Sequence, residues 1–196
     1  MSSLTPLIGA LATCFNKRPG IVKWNIQDAD IEVWGKVKST DSDAGDTIRA
    51  SEVGKIRDDH RDASFVRYEM LVDQHAHRWD VQPEFMPETF YGQLQWIYLM
   101  RSNPPCSELN LSQPMTTIIM AQIQECKINS ESIPHLDIHF YTSTGQTHVT
   151  DITSVQCVVG RVPCSMGAWQ EWGVIDRSGT LGRAIFLEDD TGNFDN

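Results

Sequence analysis

Histidine and aspartate residues recur at alternate positions in two short stretches of the chain. The residues are Asp73, His75 and His77 in the first stretch, and His135, Asp137 and His139 in the second. Alternate residues of a β-strand share one face, so two imidazoles in this spacing can reach one metal ion beside an orienting carboxylate. The other interpretation is that these histidines lie on the solvent face of half-buried strands, because the spacing alone is a weak motif. The spacing therefore makes a divalent metal such as zinc a candidate cofactor, while the expectation without further evidence is that the protein has no cofactor.

Motifs for nucleophilic catalysis are missing from the sequence. Ser178 lies in Arg-Ser-Gly and not in a GxSxG elbow, and turn chemistry accounts for both Ser178 and Gly179. The five cysteines include no CxxC pair, which disfavours a structural zinc site, and none pairs with a histidine in a known pattern. The sequence therefore assigns no catalytic residue and leans towards a protein that is not an enzyme.

Two of the six tryptophans are candidates for binding. Trp79 and Trp169 lie beside charged or loop residues, whereas Trp96 and Trp172 lie within apolar strands and are expected in the core. An aromatic side chain next to a loop can line a groove for a peptide or a sugar. We take Trp79 and Trp169 as the predicted binding residues.

The charge balance limits the class of partner. The chain has 16 basic and 26 acidic residues in 196, a formal net charge of −10. Direct nonspecific DNA binding is not expected, because such binding rests on Lys and Arg releasing counterions from phosphates.

No segment approaches the length of apolar chain that spans a bilayer, and residues 4–15 predict a buried first helix or strand. Reduced cysteines favour an intracellular location, cytoplasmic or nuclear.

Alternation of apolar and polar residues is the main structural signal. In the clearest case Val66, Tyr68 and Met70 fall on one strand face and Arg67 falls on the other. The predicted strands are residues 21–24, 31–37, 65–72, 89–100, 116–128, 136–141, 148–152 and 155–162, followed by a hairpin over residues 172–186. Turns are predicted at residues 143–146 and 177–179. The fold class is mainly β, an antiparallel barrel or sandwich of about eight to nine strands with little helix.

The chain divides into three parts of one expected domain. Residues 1–63 hold N-terminal strands and a long polar loop over 38–63, and residues 64–187 form the β core. Residues 188–196 are an acidic tail.

Four stretches within residues 61–186 carry a resemblance to a known type of domain. The stretches are residues 61–68 (RDASFVRY), 90–94 (FYGQL), 155–161 (VQCVVGR) and 174–179 (VIDRSG). Together they resemble an uncharacterised β domain of mushroom-forming (basidiomycete) fungi that often occurs in transposon-linked reading frames. The phrase at 90–94 is also similar to the opening strand of small β domains that accompany transposases and of chromatin-associated barrels. The resemblance implies a β domain of mobile-element origin and carries over no catalytic residue.

Three functions follow as hypotheses. The first is a non-enzymatic interaction module of mobile-element origin that binds a protein or nucleoprotein partner through Trp79 or Trp169. The second is a metal-dependent hydrolase or nuclease that uses the paired histidines to hold an ion and activate water. The third is a lectin-like binder that stacks an exposed tryptophan on a sugar ring.

Overall fold

The computed structural model describes residues 5–26, 29–38, 47–53, 62–102, 116–129, 138–166 and 169–176. Two helices open the chain, α1 (Thr5–Cys14) and α2 (Pro19–Ile26). The strands are β1 (Asp30–Trp34), β2 (Lys36–Lys38), β3 (Thr47–Arg49), β4 (Phe65–Asp73), β5 (Phe85–Ser102), β6 (Thr116–Ile128), β7 (Ile138–Asp151), β8 (Val155–Val158), β9 (Gly160–Met166) and β10 (Trp169–Ile175). A 3₁₀ turn, Ile152–Ser154, joins β7 to β8.

One large sheet organises the fold. Its strand order is β8-β4-β5-β6-β7-β10-β9, and β1 pairs with the C-terminal half of β5. The strands β2 and β3 form a separate pair. Every pairing between described strands is antiparallel. The sheet curls into a half-barrel, which confirms the predicted mainly β, antiparallel class.

The two outermost strands of the sheet, β8 and β9, belong to one continuous, bent segment of the chain. Strand β8 pairs with β4 at one end and β9 pairs with β10 at the other, and only Val159 separates β8 from β9. The Val159 amide donates a hydrogen bond of 2.9 Å to the Phe65 carbonyl. The strand predicted over residues 155–162 is therefore two strands with a change of partner between them. The curl brings the β4 edge of the sheet close to β10.

Buried side chains lie on both faces of the sheet. Helices α1 and α2 pack through Leu7, Leu11 and Val22 against Tyr98 and Met120. A second cluster places Ile48 and Ala50 of the β3 segment on the face of Val66, Leu94 and Ile123. A third joins Phe65 and Tyr91, from β4 and β5, to Tyr141 and Val174, from β7 and β10 on the other side of β6. The face that carries this third cluster is therefore the inner face of the curl.

The strand predicted over residues 21–24 is wrong, because this segment belongs to α2. Val22 and Ile26 are buried four residues apart, which is a helical spacing, and the Asn25 side chain donates to the Ile21 carbonyl at 2.8 Å. A Pro-Gly pair such as Pro19-Gly20 commonly marks a turn or loop. Proline is favoured at the first position of a helix, where its missing N–H is not needed, and here Pro19 opens α2.

The turn predicted at residues 143–146 is also wrong, since β7 continues through it. The register between β6 and β7 shifts between Gln124 and Cys126, so Gly145 of β7 lies in a β-bulge. Here the Glu125 carboxylate accepts a hydrogen bond of 3.2 Å from the Gln146 amide. A Cβ atom at Gly145 would collide with the Glu125 side chain, so the glycine serves a close approach between strands.

Several predictions fall on residues outside the described ranges. They are the turn at 177–179, the second strand of the C-terminal hairpin, the tail at 188–196 and most of the loop at 38–63. Among the described helices, none is long and apolar enough to cross a membrane.

Candidate functional site

A β-hairpin reaches beyond the main sheet. Strand β4 pairs with β8 only at residues 66–68, and β5 pairs with β6 only from Gly92 onward. Residues 69–73 and 85–89 pair with each other and, within the described part of the chain, with no other strand. We call residues 69–89 the hairpin arm. Its length beyond the sheet makes its side chains accessible to another molecule.

The tip of the hairpin arm is fixed by side-chain hydrogen bonds. The Asp73 Oδ1 atom accepts hydrogen bonds from the backbone N–H groups of His75, at 2.9 Å, and Glu84, at 3.0 Å. The His75 ring Nε2 lies 3.3 Å from Glu84 Oε2, and the Arg78 amide donates to the His75 carbonyl at 2.7 Å. The tip therefore has a defined shape even though its side chains face solvent.

Large apolar side chains on the hairpin arm are exposed. Trp79 at the tip is 98% exposed, and Leu71 and Phe85 are 69% and 60% exposed. The register, which places Leu71 opposite Pro87 and Asp73 opposite Phe85, puts Leu71 and Phe85 on the same face of the arm. Exposed apolar side chains that share one face are typical of an interaction surface.

A charged network lies on the inner face of the sheet. Asp176, 7% exposed, follows β10, and its Oδ2 atom accepts hydrogen bonds from Arg67 Nη1 at 3.2 Å and the Tyr91 hydroxyl at 3.1 Å. The Cys157 Sγ atom lies 3.9 Å from Asp176 Oδ1. Burial, and then the Asp176 carboxylate, raise the pKa of Tyr91, so this hydroxyl stays protonated and donates. The network ties β4 and β5 to the end of β10.

Arg161 of β9 is enclosed by aromatic rings. Its guanidinium carbon lies 4.1 Å from the centre of the Phe65 ring and 3.9 Å from that of Trp172. Its Nη1 atom donates to the Tyr141 hydroxyl at 3.3 Å, and its Nη2 atom lies 4.0 Å from the half-exposed carboxylate of Asp62. Arg161, Phe65, Trp172 and Tyr141 border a cavity of about 440 Å³ on the inner face.

The thiol of Cys126, which lines the same cavity, predicts how the stability of the fold depends on pH. Burial raises the pKa of Cys126 from 9.0 to about 11. The folded protein keeps this proton to a higher pH than the unfolded chain does. The contribution of the thiol to the free energy of unfolding is therefore fully present below pH 9 and is lost as the pH rises towards 11. This thiol is expected to account for a loss of about 2–3 kcal/mol in the free energy of unfolding over that range.

Urea unfolding in reducing buffer between pH 8 and 11 measures this loss. Cys126→Ala is expected to flatten the pH dependence, because the titrating group is gone. Cys164→Ala, a change at a partly exposed position of β9, is the matched control. An equal pH dependence in the wild type and the Cys126 variant would contradict the prediction.

The first predicted histidine pair lies in the tip of the hairpin arm. Strand β4 ends at Asp73, so His75 and His77 lie in the turn that follows and not on a common strand face. His75 faces Glu84, and His77 is exposed. The three residues do not form the strand-borne set that the spacing suggested.

The second predicted pair is only partly described. His139 lies in β7 with its ring centre 4.9 Å from that of Tyr91, on the inner face, while His135 and Asp137 lie outside the described residues. Within the described ranges, no three His, Cys, Asp or Glu side chains lie in a group that could hold a metal ion. Trp169 begins β10, and its side chain lies outside the described part.

Arg67, Arg161 and Asp176 carry no sequence signal that marks them as functional residues. Arg67 was assigned to the polar face of β4, which is correct, but that face is the inner one. No spacing motif joins Arg67 to Asp176, or Arg161 to Phe65, because each pair meets only when the sheet curls. Neither the family models, nor the curated proteins, nor the solved structures include a match to this chain. The function must therefore be argued from the geometry.

Proposed function

We propose that this chain is a non-enzymatic interaction module that docks on a protein or nucleoprotein partner through the hairpin arm. The observation that carries the proposal is Trp79, which is 98% exposed on a tip fixed by Asp73. Tryptophan is enriched among the residues that dominate binding energy at interfaces, where it fills a pocket of the partner. A fixed tip lowers the entropy lost on binding.

The chemistry of the hairpin arm indicates the kind of partner surface. The exposed charged side chains of the hairpin arm are mainly acidic, with one exposed arginine, Arg78, beside Trp79; the acidic ones are Glu69, Asp80, Glu84 and Glu88. A complementary surface has an apolar pocket for Trp79 with a basic rim. Basic proteins bound to nucleic acid have such rims, and the net charge of −10 disfavours docking on the nucleic acid itself.

The mobile-element origin and a cytoplasmic or nuclear location belong to the same proposal. Their support is the resemblance of the four sequence stretches between residues 61 and 186 and the cysteine usage of the chain. The stretch at 61–68 overlaps the start of β4 and that at 90–94 lies in β5, and these two strands form the base of the hairpin arm.

The test compares two exposed tryptophans. A photo-crosslinking amino acid at the exposed position Gln82 of the hairpin arm leaves Trp79 in place and identifies the partner. The dissociation constant is then measured for Trp79→Ala and Trp24→Ala. Trp24 lies in α2 and is 70% exposed, so it is a matched control. We expect the Trp79 variant to bind about tenfold more weakly or worse, and the Trp24 variant to bind like the wild type.

Unfolding in urea separates binding from folding in the same variants. Because both side chains are exposed, each variant should keep its free energy of unfolding within about 0.5 kcal/mol. Trp169→Ala is measured alongside, as the second predicted binding residue. Unchanged affinity in the Trp79 variant would show that the hairpin arm is not the docking surface.

The two other functions make different demands on the same protein. A lectin would use Trp79 against a sugar face, and a glycan array with wild type and Trp79→Ala would show hits that depend on the tryptophan. A metal-dependent hydrolase or nuclease would carry a stoichiometric ion, and elemental mass spectrometry of protein purified without chelator would detect it. Loss of that ion on His139→Ala would assign it to the second histidine pair.

A further inference from the structure

The cavity beside Arg161 has the size and lining of a ligand site. Its volume of about 440 Å³ lies within the range of small-molecule pockets. Aromatic rings of Phe65 and Trp172 and the amides of Gln93 and Gln124 line it, and the exposed residues 142–144, all with hydroxyl groups, form its rim. The lining is therefore mixed, with two aromatic rings and a larger share of polar groups, which suits a small ligand that has both an apolar and a polar part.

The electrostatics of the cavity favour an anion. Arg161 is the one charged side chain among its described lining residues. Burial raises the pKa of both Tyr141 and Cys126, so these two groups are neutral at physiological pH. Among the residues that the structure describes, the carboxylate paired with the guanidinium is that of Asp62, which is half-exposed at 4.0 Å and does not line the cavity. A positive centre therefore lies in a pocket of a chain whose formal net charge is −10.

The donors of the cavity are held in place before any ligand arrives. The Phe65 and Trp172 rings contact the guanidinium of Arg161, and its Nη1 atom donates to the Tyr141 hydroxyl. The Tyr141 oxygen accepts that bond, and its own proton is directed at the Cys126 sulfur, a weak acceptor that a carboxylate can replace. The Gln124 amide donates to the Gly145 carbonyl at 2.7 Å, which fixes its orientation. Fixed donors lose little entropy when they bind an acceptor.

We propose that this cavity binds a small organic carboxylate. The carboxylate meets the guanidinium of Arg161 and the hydroxyl of Tyr141, and the apolar part of the ligand lies against the aromatic walls. A single cation with neutral donors matches a monoanion, whereas a phosphate dianion would bring a second charge without a partner among these lining residues. The site is separate from the hairpin arm and independent of the partner proposed for it.

The test uses benzoate and its uncharged analogue benzamide in an NMR titration of the wild-type protein. Benzoate is expected to bind about tenfold or more tightly than benzamide, because the charged acceptor forms the stronger hydrogen bonds. Its shifts should centre on the indole N–H of Trp172 and the neighbouring amides of β7 and β9. Equal affinity, no binding in the millimolar range, or shifts that map elsewhere would each overturn the proposal.

Variants assign the selectivity to Arg161. Arg161→Met should abolish the preference for benzoate, and Arg101→Met should keep it. Arg101 is the matched control, since it pairs with Glu32 of β1 away from the cavity. If Arg161→Met does not fold, the comparison of benzoate with benzamide on the wild type still decides. Inorganic phosphate that binds as tightly as benzoate would overturn the assignment to a carboxylate.

Discussion

Replacing Asp176 with alanine is expected to lower the free energy of unfolding by about 3–5 kcal/mol. The variant removes the carboxylate to which Arg67 and Tyr91 both donate, at 3.2 and 3.1 Å. Removing the buried carboxylate deprives the partly buried Arg67 guanidinium and the buried Tyr91 hydroxyl of a shared acceptor, and this costs more than the intact pair contributes. The loss should be large because the network joins β4 and β5 to the end of β10.

Urea unfolding monitored by tryptophan fluorescence measures the effect. The matched control is Asp30→Ala, because Asp30 is exposed and lies 3.8 Å from Arg101. An exposed pair of this kind contributes about 0–1 kcal/mol. Asp176→Asn keeps the size of the side chain and one acceptor, so its loss should lie between the two. Equal losses in the Asp176 and Asp30 alanine variants would refute a stabilising role for the network.

Gly92→Ala is expected to destabilise the protein by about 3 kcal/mol. A Cβ atom at this position of β5 would lie 2.6 Å from Ile123 Cγ2 and 2.7 Å from the Gln124 carbonyl oxygen. The second neighbour is backbone, which cannot rotate away, so β5 and β6 would have to separate. Gly92 is buried at the point where the hairpin arm leaves the sheet and pairing with β6 begins.

Gly160→Ala is the matched control for this change. Its Cβ atom would lie 3.6 Å from Ile175 Cβ, an ordinary contact. This variant should stay within about 1 kcal/mol of the wild type. Both are measured by urea unfolding, and a Gly92 variant as stable as the Gly160 variant would show that the two strands can separate without cost.

The strands with one apolar and one polar face could be predicted closely from the sequence. The prediction over residues 116–128 coincides with β6, and that over 65–72 differs from β4 by one residue. The sequence pattern predicted the wrong element where a glycine or proline is compatible with more than one local structure. Pro19 opens a helix and Gly145 lies in a bulge, and in both cases tertiary contacts decide between the alternatives.

The inner face of the sheet could not be predicted, because polar residues of a strand are normally assigned to solvent. Arg67 alternates with Val66 and Tyr68 as expected, yet its side chain bonds to Asp176 of a distant strand. Both faces of this part of β4 are covered once the sheet curls. The assignment of Trp79 as a binding residue came from its charged neighbours, and it stays a prediction that its exposure supports.

The late position of β8 and β9 in the chain has a consequence for synthesis on the ribosome. Strands β4 to β7 emerge first, while the segment that covers the β4 edge and leads into β10 follows after them. Until it emerges, the nascent chain presents an open strand edge and an Arg67 that has not yet met Asp176. Pauses in translation before residue 155 should therefore lengthen the period in which the chain depends on chaperones.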